Sequence, residues 1–249
     1  MFRLLKVLSF ALALAALSIV VASCGSNGSS QIRFVHAIQD APTLDIYANG
    51  TLLFSDISFL GVLPNQPGYS SVTSGTNTIQ GFLTGGETTQ VFSNSAGFGS
   101  GTQYTLVATG FSKTGLNGSN VILLSVTDNN TAPPSGDVSF RVIHASPSGP
   151  SPVDVYIQLN PSPGPLQPPA ISGLAYTQGS HYVSISFNPN NDPTPPGYTV
   201  YVTTSGSTIP IFSEAIYPNT AGAIRTLVLT DVQSGSAMQQ SFLELSDAN

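Results

Sequence analysis

One pattern constrains this chain more than any other: much of it is written twice. Arg33-Phe34-Val35-His36-Ala37 returns as Arg141-Val142-Ile143-His144-Ala145, and Leu44-Asp45-Ile46-Tyr47 returns as Val153-Asp154-Val155-Tyr156. Further on, Gly101 to Thr109 (GTQYTLVAT) returns as Gly222 to Thr230 (GAIRTLVLT). The closing Leu124-Ser125-Val126-Thr127-Asp128 returns as Leu243-Glu244-Leu245-Ser246-Asp247. The offsets are 108, 109, 121 and 119 in chain order. A period of this kind has to be read before any single element, because it sets the architecture. The jump from 109 to 121 places extra residues in the middle of the second copy. Two Pro-rich stretches there, Asn160 to Pro169 and Asn188 to Gly197, are the obvious insertions. Order and spacing are both kept, which reads as a tandem duplication with a first domain over 31–130, a stiff linker over 131–136 and a second domain over 137–249.

Each copy is the size of a small β-sandwich. Val, Ile, Thr and Tyr fall between Gly, Pro and Asn punctuation, the signature of strands. In the first copy this predicts strands over Ile32–Ala37, Leu44–Ala48, Thr51–Phe54, Tyr69–Thr73, Thr76–Leu83, Thr88–Phe92, Tyr104–Thr109 and Val121–Val126. Asn49-Gly50 between apolar runs predicts a tight hairpin. After residue 24 no segment sustains a helical period. The expected fold is all-β: two tandem antiparallel sandwiches.

The first 23 residues read as a removable signal. Arg3 and Lys6 precede an uncharged apolar stretch from Val7 to Val21, shorter than the roughly 20 residues a membrane-spanning helix needs. Val21-Ala22-Ser23-Cys24 follows, and it resembles a bacterial lipobox, whose cysteine is lipidated and becomes the new N-terminus. Cys24 is the chain's only cysteine. In the lipobox family it carries several acyl chains, palmitate among them, and more than one chain anchors stably. Residues 24–30 then read as a flexible tether. The expectation is a lipoprotein of the bacterial cell envelope, attached to a membrane through Cys24, at the outer membrane or the cell surface.

The folded part has no cysteine, so burial alone must stabilise it. Its basic residues are Arg33, Lys113, Arg141 and Arg225 against 12 acidic ones, a net charge of 4 − 12 = −8. With no basic patch to follow a phosphate backbone, nucleic acid is not an expected partner. Charges are so scarce that Arg33 with Asp45, and Arg141 with Asp154, stand out as structural ion pairs within each domain, on consecutive strands that are candidate neighbours. His36 and His144 share a strand face with bulky apolar residues and read as imidazoles bonded to backbone. Asp128-Asn129-Asn130 and Asp247-Ala248-Asn249 lack the spaced oxygen ligands and loop glycine of a calcium loop and read as strand-exit turns. No Gly-x-Ser-x-Gly elbow, phosphate-cradling glycine loop or convergent metal ligand set is written here. No catalytic residue, metal or cofactor is therefore expected.

The block Arg33 to Ala37 with Leu44 to Gly50 resembles the opening of the bacterial family called domain of unknown function 4397. Its members read Arg-Val-x-His-Ala-Ser-Pro-Asp-Ala-Pro, then Val-Asp-Val-Tyr-x-Asn-Gly. Arg141 to Pro147 keeps the first motif more closely still; the second copy lacks the Asn-Gly turn and has Arg225 where Tyr104 stood. The resemblance covers both copies and implies an exported, immunoglobulin-like sandwich, often on a lipoprotein, with no established activity. The expected function is a non-catalytic envelope lipoprotein displaying two sandwiches for structural or adhesive contacts. The alternative is a binding module for a glycan or cell-wall polymer.

Overall fold

The fold is described from a computed structural model, over residues 28–85, 89–112, 120–160, 168–187, 197–234 and 236–248. Cys24, the signal segment and nearly all of the two Pro-rich stretches lie outside these residues. The first half contains β1 (Ser29–Ala37), β2 (Leu44–Ala48), β3 (Thr51–Ile57), β4 (Val62–Leu63), β5 (Ser70–Thr73), β6 (Gly75–Leu83), β7 (Gln90–Phe98), β8 (Gln103–Thr109) and β9 (Ile122–Thr127). The second contains β10 (Asp137–His144), β11 (Val153–Leu159), β12 (Ile171–Leu174), β13 (Val183–Ser186), β14 (Tyr198–Thr204), β15 (Pro210–Ile216), β16 (Ile224–Ser234) and β17 (Ala237–Ala248). Every element of regular structure among the described residues is a strand, as composition and alternation require.

The strands form four sheets. The first half stacks β4-β1-β8-β9, with β5 also on β1, over β3-β2-β6-β7. The second stacks β13-β10-β16-β17 over β12-β11-β14-β15, so the strand order of one half recurs in the other. One core, including Ile32, Phe34, Leu44, Ile46, Phe92 and Leu106, fills the first sandwich. Another, including Phe140, Val155, Tyr198, Val200 and Leu227, fills the second. Asn49 and Gly50 both take positive φ, 51° and 78°, the two left-handed positions of a tight hairpin.

Two of the four sheets are mixed, whereas the β3-β2-β6-β7 and β12-β11-β14-β15 sheets are purely antiparallel. β1 runs parallel to β8, and β10 parallel to β16. Parallel neighbours are characteristically buried on both faces, and this explains why β1 is buried from Ile32 to Ala37 on both faces. Ile32 and Phe34 point into the first sandwich, while Val35 and Ala37 point out of it and are equally buried. Their cover is the second half. Val35, Ala37, Val107 and Leu124 meet Ile143, Ala145, Val228 and Leu245 in a third apolar cluster, between the two β1- and β10-containing sheets. Contact there is close: a Cβ added to Gly179 would lie 2.9 Å from Val126 Cγ1.

Candidate functional site

The face of β1 that meets the second half carries Arg33, Val35 and Ala37; the matching face of β10 carries Arg141 and Ile143, with Ala145 just past its end. Alternation along a strand dictates this grouping. The apolar members form the third cluster, so the two arginines are enclosed beside it, each 0% exposed. Burial of a bare charge is prohibitive, and each guanidinium is answered by an aspartate of the opposite half. Arg33 Nη2 donates to Asp247 Oδ1, and Arg141 Nη2 donates to Asp128 Oδ1. Arg33 Nε also lies 3.6 Å from Asp128 Oδ2, so Asp128 serves both arginines.

The Nε donors are matched within each half and the Nη1 donors across the halves. Arg33 Nε donates to Thr105 Oγ1 at 2.8 Å and Arg141 Nε to Thr226 Oγ1 at 2.7 Å. Arg33 Nη1 donates to the Ser246 carbonyl at 3.3 Å, and Arg141 Nη1 to the Thr127 carbonyl at 2.9 Å. Thr105 and Thr226 in turn donate to Asp128 and Asp247. Tyr69 stands over Arg33, with the guanidinium 5.3 Å from its ring centre, and its hydroxyl donates to Asp128 at 2.6 Å. Tyr182 stands over Arg141 at 4.8 Å and donates to Asp247 at 2.8 Å. Two positive and two negative charges thus cancel in a closed array.

The electrostatics follow from this packing. Burial by itself disfavours the charge on Arg33, but Asp247 and then Asp128 outweigh it and hold the guanidinium above its ordinary value. Burial, reinforced by the Asp128 charge, pushes the Tyr69 hydroxyl well up. Burial does the same to Tyr182, against the opposing pull of Arg141. Both phenols therefore stay protonated donors. With the arginines sealed from solvent, the array joins the halves and offers no open reaction centre.

Arg33 and Arg141 are buried in ion pairs, but not with the aspartates expected from the sequence. β1 and β2 belong to opposite sheets of one sandwich, and Arg33 faces away from β2; the same holds for Arg141 on β10 and Asp154 on β11. Asp45 Oδ1 instead accepts the Asp56 amide at 2.9 Å, where β3 is irregular and Asp56 has a φ of 55°. Asp154 accepts the Gly173 amide at 2.6 Å and the Gly206 amide at 2.8 Å. For Asp154, burial favours the neutral acid, yet those amides and the Ser205 hydroxyl prevail and hold the carboxyl below its usual range. Both aspartates thus secure irregular backbone.

The strand-exit reading of Asp128 and Asp247 needs the opposite correction, because these side chains are the counter-ions. Their signal was present: scarce acids repeated 119 residues apart, at the close of a repeated strand. Thr105 and Thr226, and Tyr69 and Tyr182, were likewise repeated and not recognised as partners.

The histidines hydrogen-bond to backbone at the ends of β1 and β10. His36 Nδ1 accepts the Ile38 amide at 3.2 Å, so Nε2 carries the proton and donates to the Pro42 carbonyl at 3.0 Å. His144 does the same with Ser146 and Pro150. Burial pushes both imidazoles below their ordinary value, partly offset by the carbonyl bond. Among the described residues, no group of three or more His, Cys, Asp or Glu is placed to hold a metal ion.

A second feature lies on the seam between the halves, beyond the apolar cluster from the charged array. Gly110, Phe111, Ile122, Pro147 and Tyr176 line an open cleft of about 570 Å³. Thr109 Oγ1 donates across this end to the Ala145 carbonyl at 2.6 Å.

These observations define an all-β protein of paired sandwiches whose halves are joined by a buried, crossed Arg–Asp array. The family model described as Domain of unknown function (DUF4397) matches residues 30–156, just over half the chain, and the chain belongs to that family. The match holds Arg33, Asp128 and Arg141 together and ends at Tyr156, in β11. No curated protein matches the chain.

Proposed function

We propose that this chain is a non-catalytic bacterial envelope lipoprotein: a tandem duplication, lipidated at Cys24, that holds two fused sandwiches at a membrane surface for structural or adhesive contacts. The observation that carries this reading is where the positive charge sits. Arg33, Arg141 and Arg225, every arginine or lysine among the described residues, are buried, and each is ion-paired. The described surface therefore presents neutral polar and acidic groups and no exposed arginine or lysine, which disfavours nucleic acid and other polyanions as partners. A protein that uses its arginines to lock two modules together is suited to bearing a fixed shape. Radioactive fatty acid supplied to cells should label the native protein and not Cys24→Ser, and only the native form should pellet with membranes. Label retained by Cys24→Ser would refute the anchor.

The seam cleft favours one alternative. Phe111 and Tyr176 offer aromatic surface beside polar backbone, a composition that suits stacking against a sugar ring. In that case the protein is a binding module for a glycan or cell-wall polymer. Binding on a glycan array, lost in Tyr176→Ala, would select it.

A further inference from the structure

We infer that the protein stands on the membrane by one defined end: the uncharged rim around Gly28, with the Asn49-Gly50 hairpin, seats on the phospholipid headgroups. This rests on lipidation of Cys24, which its test separates from the orientation itself.

Register fixes which loops share that end. Ser29 pairs with Thr73. The Ser74 amide donates to the Gly28 carbonyl, and the Gly101 amide to the Ser29 carbonyl, both at 2.8 Å. Ala48 pairs with Thr51 across the hairpin, and Gly28, Asn49, Thr51 and Thr73 line one cleft of about 490 Å³. The second half has its matching end on the same side. Arg33, midway along β1, reaches Asp247, near the end of β17, and Arg141 reaches Asp128, just past the end of β9, while Thr109 meets Ala145 and Gln39 meets Gln233 at the far end. Cross-half contacts at the far end, and others set back from it, leave no freedom to reverse a half.

Four residue steps separate Cys24 from Gly28. Fully extended they reach about 14 Å, whereas a nine-residue strand such as β1 spans about 30 Å. The near end is thus held within reach of the headgroups and the far end is not. Charge agrees with this. The first half's near rim is Asn49, Gly50, Thr51, Thr73, Ser74 and Ser100, all neutral, so an anionic leaflet meets no carboxylate on that rim; at the same end of the second half, half-buried Asp137 opens β10. Asp40 and Asp56 lie toward the far end, where Asp40 accepts the Ser112 amide and Asp56 precedes Ile57, the partner of Leu44. Leu52, half exposed beside the hairpin turn, supplies an apolar contact for the interface. The seam cleft at Phe111 and Tyr176 then opens away from the membrane.

The test uses the lipidated protein in vesicles of phosphatidylethanolamine and phosphatidylglycerol with a headgroup-spin-labelled lipid. Single cysteines at Thr51 or Ser100 (near end) and Thr89 or Thr208 (far end) carry a fluorophore; Cys24 is blocked by its lipid. Quenching severalfold stronger at Thr51 and Ser100 is expected. Equal quenching at both ends, or stronger quenching at Thr89 and Thr208, overturns the orientation while leaving the anchor intact. Protein that carries no fatty acid and does not float with the vesicles overturns both.

Discussion

Replacing Asp247 with asparagine keeps the side chain's shape and removes its charge, which isolates what the carboxylate does for Arg33. The carboxylate accepts from Arg33, from Tyr182 at 2.8 Å and from Thr226 at 2.6 Å, and its side chain is 0% exposed. Breaking a buried pair by removing one member costs about 3–5 kcal/mol, because the survivor is left charged in a poor solvent. Arg33 would keep Asp128 at 3.6 Å, so Asp247→Asn belongs near the lower end of that range, about 3 kcal/mol. Asp128 answers both arginines, so Asp128→Asn belongs near the upper end, about 5 kcal/mol. Urea denaturation, followed by tyrosine fluorescence because the chain has no tryptophan, measures both. Adding Arg33→Met to Asp247→Asn removes the stranded charge, so the double mutant should recover about 2 kcal/mol of the summed single losses. The pair Arg33→Met with Asp45→Asn should be additive within about 0.5 kcal/mol. Additivity for Arg33–Asp247 together with coupling for Arg33–Asp45 would refute the crossed pairing.

Three further outcomes follow from the geometry. His36 and His144 have folded pKa values lowered by burial. The unfolded chain therefore takes up protons first, so their contribution is complete above about pH 6.5 and falls as pH drops toward the folded values, by at most about 1.4 kcal/mol per pH unit for each. Denaturation at pH 7.5, 6.5 and 5.5 should show this decline, and His36→Asn with His144→Asn should flatten it. Gly179→Val forces atoms onto Val126 across the seam and should destabilise by about 1–3 kcal/mol; an unchanged urea midpoint would argue against a packed seam. Gly50→Val meets open space but a φ of 78°, so its loss of about 1–3 kcal/mol should be purely conformational and absent in Gly50→Asn.

What the sequence revealed and what it hid divide along one physical line. Local signals were faithful: alternation located most first-half strands to within a few residues, and Asn49-Gly50 named its own turn. Long-range pairing was not legible. β1 and β2 follow one another in sequence but lie in different sheets, while β1 pairs with β8, with Gln31 opposite Gln103. Nothing local in Arg33 says which sheet covers it, so Asp45 was the nearest plausible partner and Asp247 the real one. Nor does alternation alone say what covers the outer face of β1, where Val35 and Ala37 are buried like Phe34. The repeat held the missing information. Arg, Thr, Tyr and Asp recur together in both halves, and a buried charge array with local two-fold character requires such a set.

The central claim is that the two halves form one cooperative body through the buried array and the apolar seam. Scanning calorimetry of the purified protein tests it most directly. The account predicts a single transition whose calorimetric and van't Hoff enthalpies agree, splitting or broadening in Asp128→Asn. Two independent transitions in the native protein, unmoved by Asp128→Asn, would contradict it.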